Sequence, residues 1–340
     1  MQKVNWGVVG LGSVAKEFVK GFNFSENAKL FGIASNDNVK LNTFKENFKI
    51  ESKYCFNDYN KLIDEKKIEI VYLALPTFLH KEWVISCLER NKKVLVEKPA
   101  TMNSEEIFKI KENPKSENCF FEAYMYLFHP QIKKTIELIK EGEIGKIISM
   151  ESYFGNNLLT KKNWLGFTKK KKIDPKKRIF NKKMGGGSIL DLGCYPVSFS
   201  TFIGSLENQI TFKNVEVLDK KVIIGQTGVE LDSYATLKFD NGFISKVGSS
   251  FSNNLGRKTE IIGSDGKIII EDTWTANPSK LIIKKKTKET VLEIKSKKNI
   301  YSYEIDALSD EILNKNLSNN KLININQSVI NMQIIDAWKN

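Results

Sequence analysis

The first third of the chain alternates short apolar runs with amphipathic stretches. A run such as Ile70–Leu75 is apolar at nearly every position, which is typical of a strand covered by helices on both faces. Strands that alternate with helices predict a doubly wound parallel sheet. The predicted strands are Val4–Val9, Leu30–Ala34, Ile68–Leu75, Val94–Val96 and Cys119–Ala123, and the predicted helices lie near 14–24, 38–47, 58–66, 79–90 and 103–112.

The pattern changes after about residue 122. A predicted helix, Gln131–Lys140, precedes a strand at Lys146–Phe154 and a lysine-rich loop, and another helical stretch begins at Ser188. Closely spaced strands follow, with turn signals such as Asp240-Asn241-Gly242 between them, and they predict an antiparallel sheet with helices on one face. The strands of this sheet are predicted at 210–217, 220–225, 233–239, 243–251, 258–263, 267–272, 280–286 and 290–295.

Two helices, near 301–315 and 326–338, close the chain. A length of 340 residues is more than one hydrophobic core usually spans. We therefore predict two domains: an α/β domain over residues 1–121, and an α+β domain with a large, mostly antiparallel sheet over residues 122–340.

The net charge of +13 would suit a nucleic-acid partner. The excess is concentrated, however, because residues 161–183 carry ten Lys and one Arg against the single acid Asp174. We interpret this stretch either as a solvated loop whose lysines contribute only solubility, or as a lid in which Arg178, and after it Lys182 and Lys183, favour an anionic cofactor or substrate. We expect no nucleic-acid partner. No apolar run reaches the roughly 20 residues of a membrane span, so we expect no membrane partner either.

The cysteines and histidines exclude other classes of site. The four cysteines show no CxxC spacing and there are only two histidines, so neither a disulfide scaffold nor a metal site is predicted. The N-terminal residues lack the features of a signal peptide. These observations predict a cytoplasmic protein with reduced thiols.

A glycine-rich loop follows the first predicted strand. Residues Gly10, Gly12, Ser13, Val14 and Ala15 belong to a GxGxxA sequence that also opens the first predicted helix. In such a loop the first glycine permits a tight turn, the second lets backbone approach a pyrophosphate, and the small third residue lets helix pack on strand. A purely structural turn is the alternative, but the strand and helix around the loop favour dinucleotide binding.

The end of the second strand bears on the choice between NADP and NAD. It reads Ala34-Ser35-Asn36, where an NAD-binding chain usually has an acid for the ribose hydroxyls. Asp37 follows, and a helix N-cap is its favoured interpretation. Ser35, Asn36 and Lys40 are candidates to bind a 2′-phosphate, so the sequence predicts NADP as the preferred cofactor, with NAD as the alternative.

Two further motifs contain residues suited to acid–base chemistry. Glu97-Lys98-Pro99 follows the fifth predicted strand, at the sheet edge where such folds bind ligands. Three glycines, Gly185–Gly187, permit close approach of backbone to a ligand, and Asp191 and Tyr195 share one helix face at i and i+4. Taken alone, Lys98 would lie in a surface turn, Asp191 would be a helix-dipole acid and Tyr195 a packed aromatic.

Together with Ala74-Leu75-Pro76-Thr77-Phe78-Leu79-His80, these motifs resemble the Gfo/Idh/MocA oxidoreductase family, nearest its glucose–fructose oxidoreductase and dihydrodiol (xylose) dehydrogenase branch. The resemblance implies a Rossmann domain, an α+β substrate domain, a nicotinamide cofactor and a sugar-like substrate. It also implies that Lys98, Asp191 and Tyr195 are catalytic. By the same resemblance, the cofactor-binding residues include Leu75, Pro76, His80 and Glu97, with a helix-start cap as the alternative for His80. The branch also has an arginine before the glycine run, matched here by Arg178, which we predict to bind an anionic group of the cofactor or of the substrate.

The chain departs from the commonest family pattern at two positions. Tyr195 stands where many members have His, as it does in the branch named above, and Leu127 stands where a basic residue is common. An ordinary tyrosine has a pKa of about 10, and a neighbouring ammonium lowers it by favouring the phenolate. Tyr195 is therefore predicted to move the proton while Lys98 polarises the oxygen and Asp191 orients Lys98 or a substrate hydroxyl.

The sequence thus predicts an NAD(P)-dependent oxidoreductase that acts on a sugar, a cyclic polyol or a related carbonyl compound. A non-catalytic dinucleotide-binding regulator with the same fold is the alternative, against which the complete Lys98, Asp191 and Tyr195 set counts. A large sheet with helices on one side leaves its other face to be covered. We therefore expect a homodimer or homotetramer that packs through these sheets.

Overall fold

The computed structural model of the chain describes residues 2–162, 164, 166–206, 215–296, 298–314 and 323–340. The chain forms two compact units. Unit 1 comprises Met1–Phe128 and Lys297–Val329, and unit 2 comprises His129–Ser296 and Ile330–Asn340. The chain therefore leaves unit 1 after Phe128 and returns to it after Ser296.

The main sheet of unit 1 is parallel throughout. Its strands are β1 (Val4–Val9), β2 (Ala28–Ala34), β3 (Cys55–Phe56), β4 (Ile70–Leu73), β5 (Lys93–Glu97) and β6 (Phe120–Ala123). They lie in the order β3-β2-β1-β4-β5-β6, and each neighbouring pair is parallel. All four residues of β4 are buried, which requires that both faces of the strand are covered.

Six helices alternate with these strands, and five of them correspond to the helices that the sequence pattern predicted. They are α1 (Ser13–Lys20), α2 (Asn38–Phe48), α3 (Tyr59–Asp64), α4 (His80–Glu89), α5 (Ser104–Lys111) and α6 (Ser116–Cys119). The predicted Rossmann-type doubly wound sheet is therefore confirmed. The strand β3 and the helix α6 lack predicted counterparts, because elements of two and four residues show no periodicity.

Unit 2 contains an eight-stranded sheet, the helices α7 (Pro130–Lys140) and α8 (Cys194–Gly204), and most of the last helix of the chain. The sheet order is β10-β11-β12-β7-β13-β14-β15-β16, and only the β12–β7 pair is parallel. The predicted mostly antiparallel sheet is confirmed. Besides a short hairpin of β8 (Thr160–Lys162) and β9 (Thr168–Lys170), the strands are β7 (Ile147–Gly155), β10 (Val215–Ile224), β11 (Glu230–Phe239), β12 (Ile244–Ser250), β13 (Thr259–Gly263), β14 (Gly266–Ile270), β15 (Lys280–Lys285) and β16 (Glu289–Glu293).

Two local predictions for unit 2 differ from the structure. The strands predicted at 210–217 and 220–225 are one strand, β10, whose pairing with β11 shifts near Asp219, where φ is 50°; residues 207–214 lie outside the described residues. The lysine-rich stretch predicted as a loop contains the β8–β9 hairpin. Its threonine and lysine strands show no apolar alternation, so the pattern did not indicate them.

The last two helices are α9 (Ile300–Asn314) and α10 (Ile325–Lys339). Helix α9 packs against β1 and β2 of unit 1, and the Trp6 indole N–H donates to the Ser309 hydroxyl at 3.0 Å. The predicted division at residue 121 therefore differs from the observed one, which adds 122–128 and 297–329 to unit 1. Contacts between residues so far apart in the chain leave no periodic signal in the sequence.

Among the described residues, no helix combines the length and the apolar composition that crossing a membrane requires.

Candidate active site

A glycine loop joins β1 to α1 at the carboxyl end of the parallel sheet. Gly10 has a φ of 86°, and a Cβ there would lie 2.6 Å from the carbonyl oxygen of Ala74. Gly12 is the N-cap of α1, and a Cβ there would meet no atom within 4 Å. Gly10 therefore permits two backbone segments to meet, whereas Gly12 leaves open space at the helix end.

The first turn of α1 directs backbone amides toward that space. The Lys16 N–H donates to the Gly12 carbonyl at 3.1 Å, so the amides of Ser13, Val14 and Ala15 precede the first hydrogen bond of the helix and find no partner within it. Ser13 and Val14 are exposed, and Ala15 is fully buried. Open space beside helix-end amides suits a pyrophosphate, so these residues fit a dinucleotide.

The carboxylate nearest the predicted ribose position, at the end of β2, is that of Asp37, and it is already hydrogen-bonded to the first turn of α2. The Asp37 carboxylate accepts the amides of Val39 and Lys40 at 3.0 and 3.1 Å, which confirms the N-cap interpretation. The hydrogen bond from the Lys40 amide is the main cause that lowers the pKa of Asp37. Ser35 is buried and its hydroxyl accepts the Asp37 amide, while Asn36 and Lys40 are exposed.

His80 braces two loops of unit 1. Its ring is 1% exposed, with Nε2 at 2.8 Å from the Leu75 carbonyl oxygen and Nδ1 at 3.0 Å from that of Pro99. His80 is the first residue of α4 and Leu79 is its N-cap, so His80 does not occupy the N-cap position. The ring links the Leu75-Pro76 loop after β4 to the Lys98-Pro99 loop after β5.

Glu97 ends β5 and accepts a hydrogen bond from the buried Tyr72 hydroxyl. Burial and then the negative charge of Glu97 raise the pKa of Tyr72 well above its usual range. The same two causes, in the same order, raise the pKa of the fully buried Glu304 of α9, and neither of its carboxyl oxygens has a hydrogen-bond partner among the described residues.

Lys98 follows β5 and precedes the cis peptide bond to Pro99. Glu122 of β6 anchors this loop by hydrogen bonds. Its carboxylate accepts one from the Ala100 amide at 2.8 Å and one from the Ser328 hydroxyl. Burial raises the pKa of Glu122, while these hydrogen bonds and the charge of Lys98 lower it. Sequence reasoning missed Glu122, although an acid inside an apolar strand is a signal in itself.

In unit 2, Tyr195 lies in the first turn of α8 and is 6% exposed. Its ring contacts Phe154 edge-on at 5.2 Å between centroids and Trp274 at 5.5 Å. The two rings come from the end of β7 and from the segment after β14, so no local pattern in the sequence indicates that they meet. This aromatic packing fixes the direction in which the phenol points.

Asp191 lies in a five-residue π-helical turn, Ile189–Gly193, directly before α8. Arg178 Nη2 donates to Asp191 Oδ1 at 2.7 Å. Single π-helical turns occur often at functional sites. Arg178, predicted to bind an anionic group of the cofactor or of the substrate, thus donates a hydrogen bond to the Asp191 carboxylate.

Each unit therefore gathers part of the predicted set. Unit 1 contains the glycine loop, Ser35, Asn36, Lys40, Leu75, Pro76, His80, Glu97 and Lys98, and unit 2 contains Arg178, Asp191 and Tyr195. Within the described residues, no group of three or more His, Cys, Asp or Glu side chains is placed to hold a metal ion. His129 is the N-cap of α7, where Nδ1 accepts the Gln131 amide and burial lowers its pKa to about 4.

Comparison with family models identifies both halves of the chain. Residues 4–124 match the model of the Gfo/Idh/MocA oxidoreductases, described as an oxidoreductase family with an NAD-binding Rossmann fold, and residues 132–269 match a C-terminal domain model of the same family.

Individual proteins agree with these matches. A trans-1,2-dihydrobenzene-1,2-diol dehydrogenase of Xenopus tropicalis is 25% identical over 84% of this chain and 80% of its own. A D-xylose 1-dehydrogenase (NADP(+)) of Haloferax volcanii is 25% identical over 81% of this chain and 78% of its own.

Solved structures share the fold. The aldose-aldose oxidoreductase of Caulobacter crescentus, complexed with glycerol, superposes with a TM-score of 0.84 at 20% identity, covering 99% of this chain and 97% of that one. A 3-ketoreductase of Actinomadura kijaniata in complex with NADP and TDP-benzene gives a TM-score of 0.80 at 20% identity, with the same coverage.

Proposed function

Because the chain belongs to the Gfo/Idh/MocA oxidoreductase family, we propose that it transfers a hydride between NADP and a sugar, a cyclic polyol or a related carbonyl compound. One observation carries this proposal. The loops with Gly12, Pro76 and Lys98 follow β1, β4 and β5, which are neighbours in the parallel sheet. Their carboxyl ends meet at one edge, so a phosphate-binding loop and a lysine lie along the same side of unit 1.

The sugar-like substrate class follows from the named relatives. They include dehydrogenases of D-xylose and of a dihydrodiol, and a reductase of a dTDP-linked deoxyglucose from Saccharopolyspora spinosa. All of these compounds carry neighbouring hydroxyl or carbonyl groups on one ring or chain. We infer that this chain oxidises or reduces one such carbon.

Three side chains divide the proton chemistry. Oxidation of an alcohol removes a hydride from carbon and a proton from oxygen, and the nicotinamide supplies the hydride acceptor. Tyr195 as phenolate takes the proton, and as phenol it returns the proton when a carbonyl is reduced. Lys98 polarises the substrate oxygen, and Asp191 orients Lys98 or a second hydroxyl.

The test is a screen of sugars, keto-sugars and phosphorylated sugars with NADPH and NADP, followed by variants on an active substrate. Tyr195→Phe and Lys98→Ala should each lower kcat by about 10²–10⁴-fold, the usual contribution of positioned proton transfer, and should leave the Kd of NADPH within about twofold. Tyr234→Phe, which removes a hydroxyl from a half-buried tyrosine of β11, is the matched control and should keep full turnover.

Two outcomes would contradict the proposal. More than half of the wild-type turnover in Tyr195→Phe would show that another group moves the proton. Tight NADPH binding without turnover of any substrate in the screen would favour the dinucleotide-binding regulator instead.

We propose NADP rather than NAD as the preferred cofactor. The support is the end of β2, where the Asp37 carboxylate caps α2 and Asn36 and Lys40 are exposed. The Lys40 ammonium lies 3.5 Å from Asp37 Oδ2, and we propose that it turns to a 2′-phosphate when NADP binds. Titration by fluorescence should give a lower Kd for NADPH than for NADH. Lys40→Ala should raise the Kd of NADPH and so narrow the difference between the two Kd values. A lower Kd for NADH would assign the ribose hydroxyls to Asp37.

We also propose a homodimer or homotetramer that packs through the eight-stranded sheet. Ile148 of β7 and Ile244 of β12 are 50% and 38% exposed. The rest of the outward face is mixed, because the side chains that β11 directs to this face are Tyr234, Thr236 and Lys238. Light scattering at micromolar concentration should give a multiple of 38.8 kDa; the mass of one chain would refute the proposal.

A further inference from the structure

Arg178 and Asp191 form an ion pair inside unit 2. The bond from Arg178 Nη2 to Asp191 Oδ1 is 2.7 Å long, the length expected of a charge-assisted hydrogen bond. The Arg178 side chain is 33% exposed and that of Asp191 is 17% exposed. A pair that is largely withdrawn from water is screened less than a surface pair.

The backbone between the two residues is folded to make this contact. The Gly186 amide donates to the Asn181 carbonyl at 2.9 Å, and the Gly187 amide donates to the Ile179 carbonyl at 3.0 Å. The Asp191 amide then donates to the Gly187 carbonyl at 3.1 Å. A ladder of main-chain bonds therefore ties the short 3₁₀ turn of Arg178 to the π-helical turn of Asp191.

The glycines are required for this ladder. A Cβ on Gly186 would lie 2.5 Å from the carbonyl oxygen of Arg178 and 2.8 Å from the Asn181 nitrogen. A Cβ on Gly187, where φ is 115°, would lie 1.8 Å from Glu230 Oε2. At these two positions the space that a side chain would occupy is filled by the chain itself.

We propose that Arg178 is a positioning residue, which holds the Asp191 carboxylate in one orientation, one helical turn before Tyr195. This inference rests on the proposed function and replaces the contact with an anionic cofactor or substrate that the sequence predicts for Arg178. The bond uses one guanidinium nitrogen, so a lysine ammonium can keep a single charged hydrogen bond to the same oxygen, although it lacks the planar fork of arginine.

The experiment compares Arg178→Gln, Arg178→Lys, Asp191→Asn and the double variant Arg178→Gln/Asp191→Asn. We expect Arg178→Gln to lower kcat by about 10²-fold, as a misplaced catalytic group does, with the Kd of NADPH changed less than about twofold. Arg178→Lys should recover at least tenfold of that loss. The double variant should be no slower than Asp191→Asn, because the arginine acts only through the carboxylate.

Lys177→Gln is the matched control, since it removes one positive charge from the exposed neighbour of Arg178 and should leave kcat and the Kd of NADPH unchanged. The melting temperature of each variant, measured without cofactor, separates lost positioning from lost folding. A melting temperature for Arg178→Lys close to that of the wild type keeps the rescue interpretable even if Arg178→Gln folds poorly.

Three results would overturn the assignment. The first is a tenfold higher Kd of NADPH in Arg178→Gln with kcat preserved, which would show that Arg178 is a cofactor ligand. The second is wild-type turnover in Arg178→Gln, and the third is an additive loss in the double variant. Absence of turnover in the wild-type chain itself would instead refute the proposed function, so the two failures are distinguishable.

Discussion

The two glycine motifs, one in each unit, use the same residue type for opposite purposes. In the loop after β1, the missing side chain of Gly12 leaves empty space beside the amides of α1. In the run before Asp191, the missing side chains of Gly186 and Gly187 leave room for Arg178 backbone and for the Glu230 carboxylate. The first motif is open at Gly12, whereas Gly10 of the same motif, like Gly186 and Gly187 of the second, faces atoms of the chain itself.

This difference changes what a glycine run signifies in a sequence. Both motifs suggested close approach of backbone to a ligand, and in both the spacing alone is compatible with that interpretation. What separates them is the atom that a side chain at the glycine would meet, because only open space can receive a phosphate. A glycine packed against backbone affects the site indirectly, because it allows other residues of the chain to come into contact.

The largest expected effect is that of Gly186→Ala. Three backbone atoms, of Arg178, Ile179 and Asn181, lie within 2.8 Å of the new Cβ, and backbone yields less readily than the end of a side chain. Overpacking of this kind costs about 1–3 kcal/mol or more, so we expect a melting temperature several degrees lower and a kcat as low as that of Arg178→Gln. An unchanged melting temperature would show that the run is not closed as described.

Gly187→Ala should have the next largest effect, for a different reason. The Cβ would meet the end of the Glu230 side chain, which can move, but the φ of 115° remains strained for alanine. Such strain costs roughly 1–3 kcal/mol. Combining Gly187→Ala with Glu230→Ser separates the two causes: the melting temperature should stay low if strain dominates, and should recover to that of Glu230→Ser alone if the clash does.

The smallest effect on folding is expected for Gly12→Ala, which meets no atom within 4 Å. The melting temperature of the cofactor-free protein should change by less than about 1 °C, whereas the Kd of NADPH should rise at least tenfold, or about 1.4 kcal/mol, because the methyl group occupies the pyrophosphate space. Gly142→Ala, another exposed glycine with no atom within 4 Å but with a φ of 73°, should cost stability without changing the Kd.

The sequence predicted the elements of unit 1 well because each has its own periodic signal. The strand β1 was predicted with its observed bounds, and the glycine loop was placed correctly between it and α1. The sequence did not predict that Glu122 supports the Lys98 loop. Nor did it predict that the rings of Phe154 and Trp274 pack against Tyr195. These contacts depend on which strands become neighbours, and local pattern does not specify that.

Arg178 shows the same limit inside the site. Resemblance located the residue and suggested a ligand, but its partner is decided by how residues 178–187 fold back on themselves. That fold depends on main-chain hydrogen bonds at Gly186 and Gly187, which no pattern of side chains specifies. Motif positions are therefore predicted more reliably than the contacts that the motif makes.

The return of α9 to unit 1 has a consequence for biosynthesis. The Trp6 indole is bonded to a hydroxyl 303 residues later in the chain, and at about 5–20 residues per second a ribosome needs roughly 15–60 s to make that interval. Until then, the face of β1 that α9 covers has no permanent neighbour. The domain translated first is thus among the last to be finished, and in the meantime its exposed apolar strand is a candidate client for molecular chaperones.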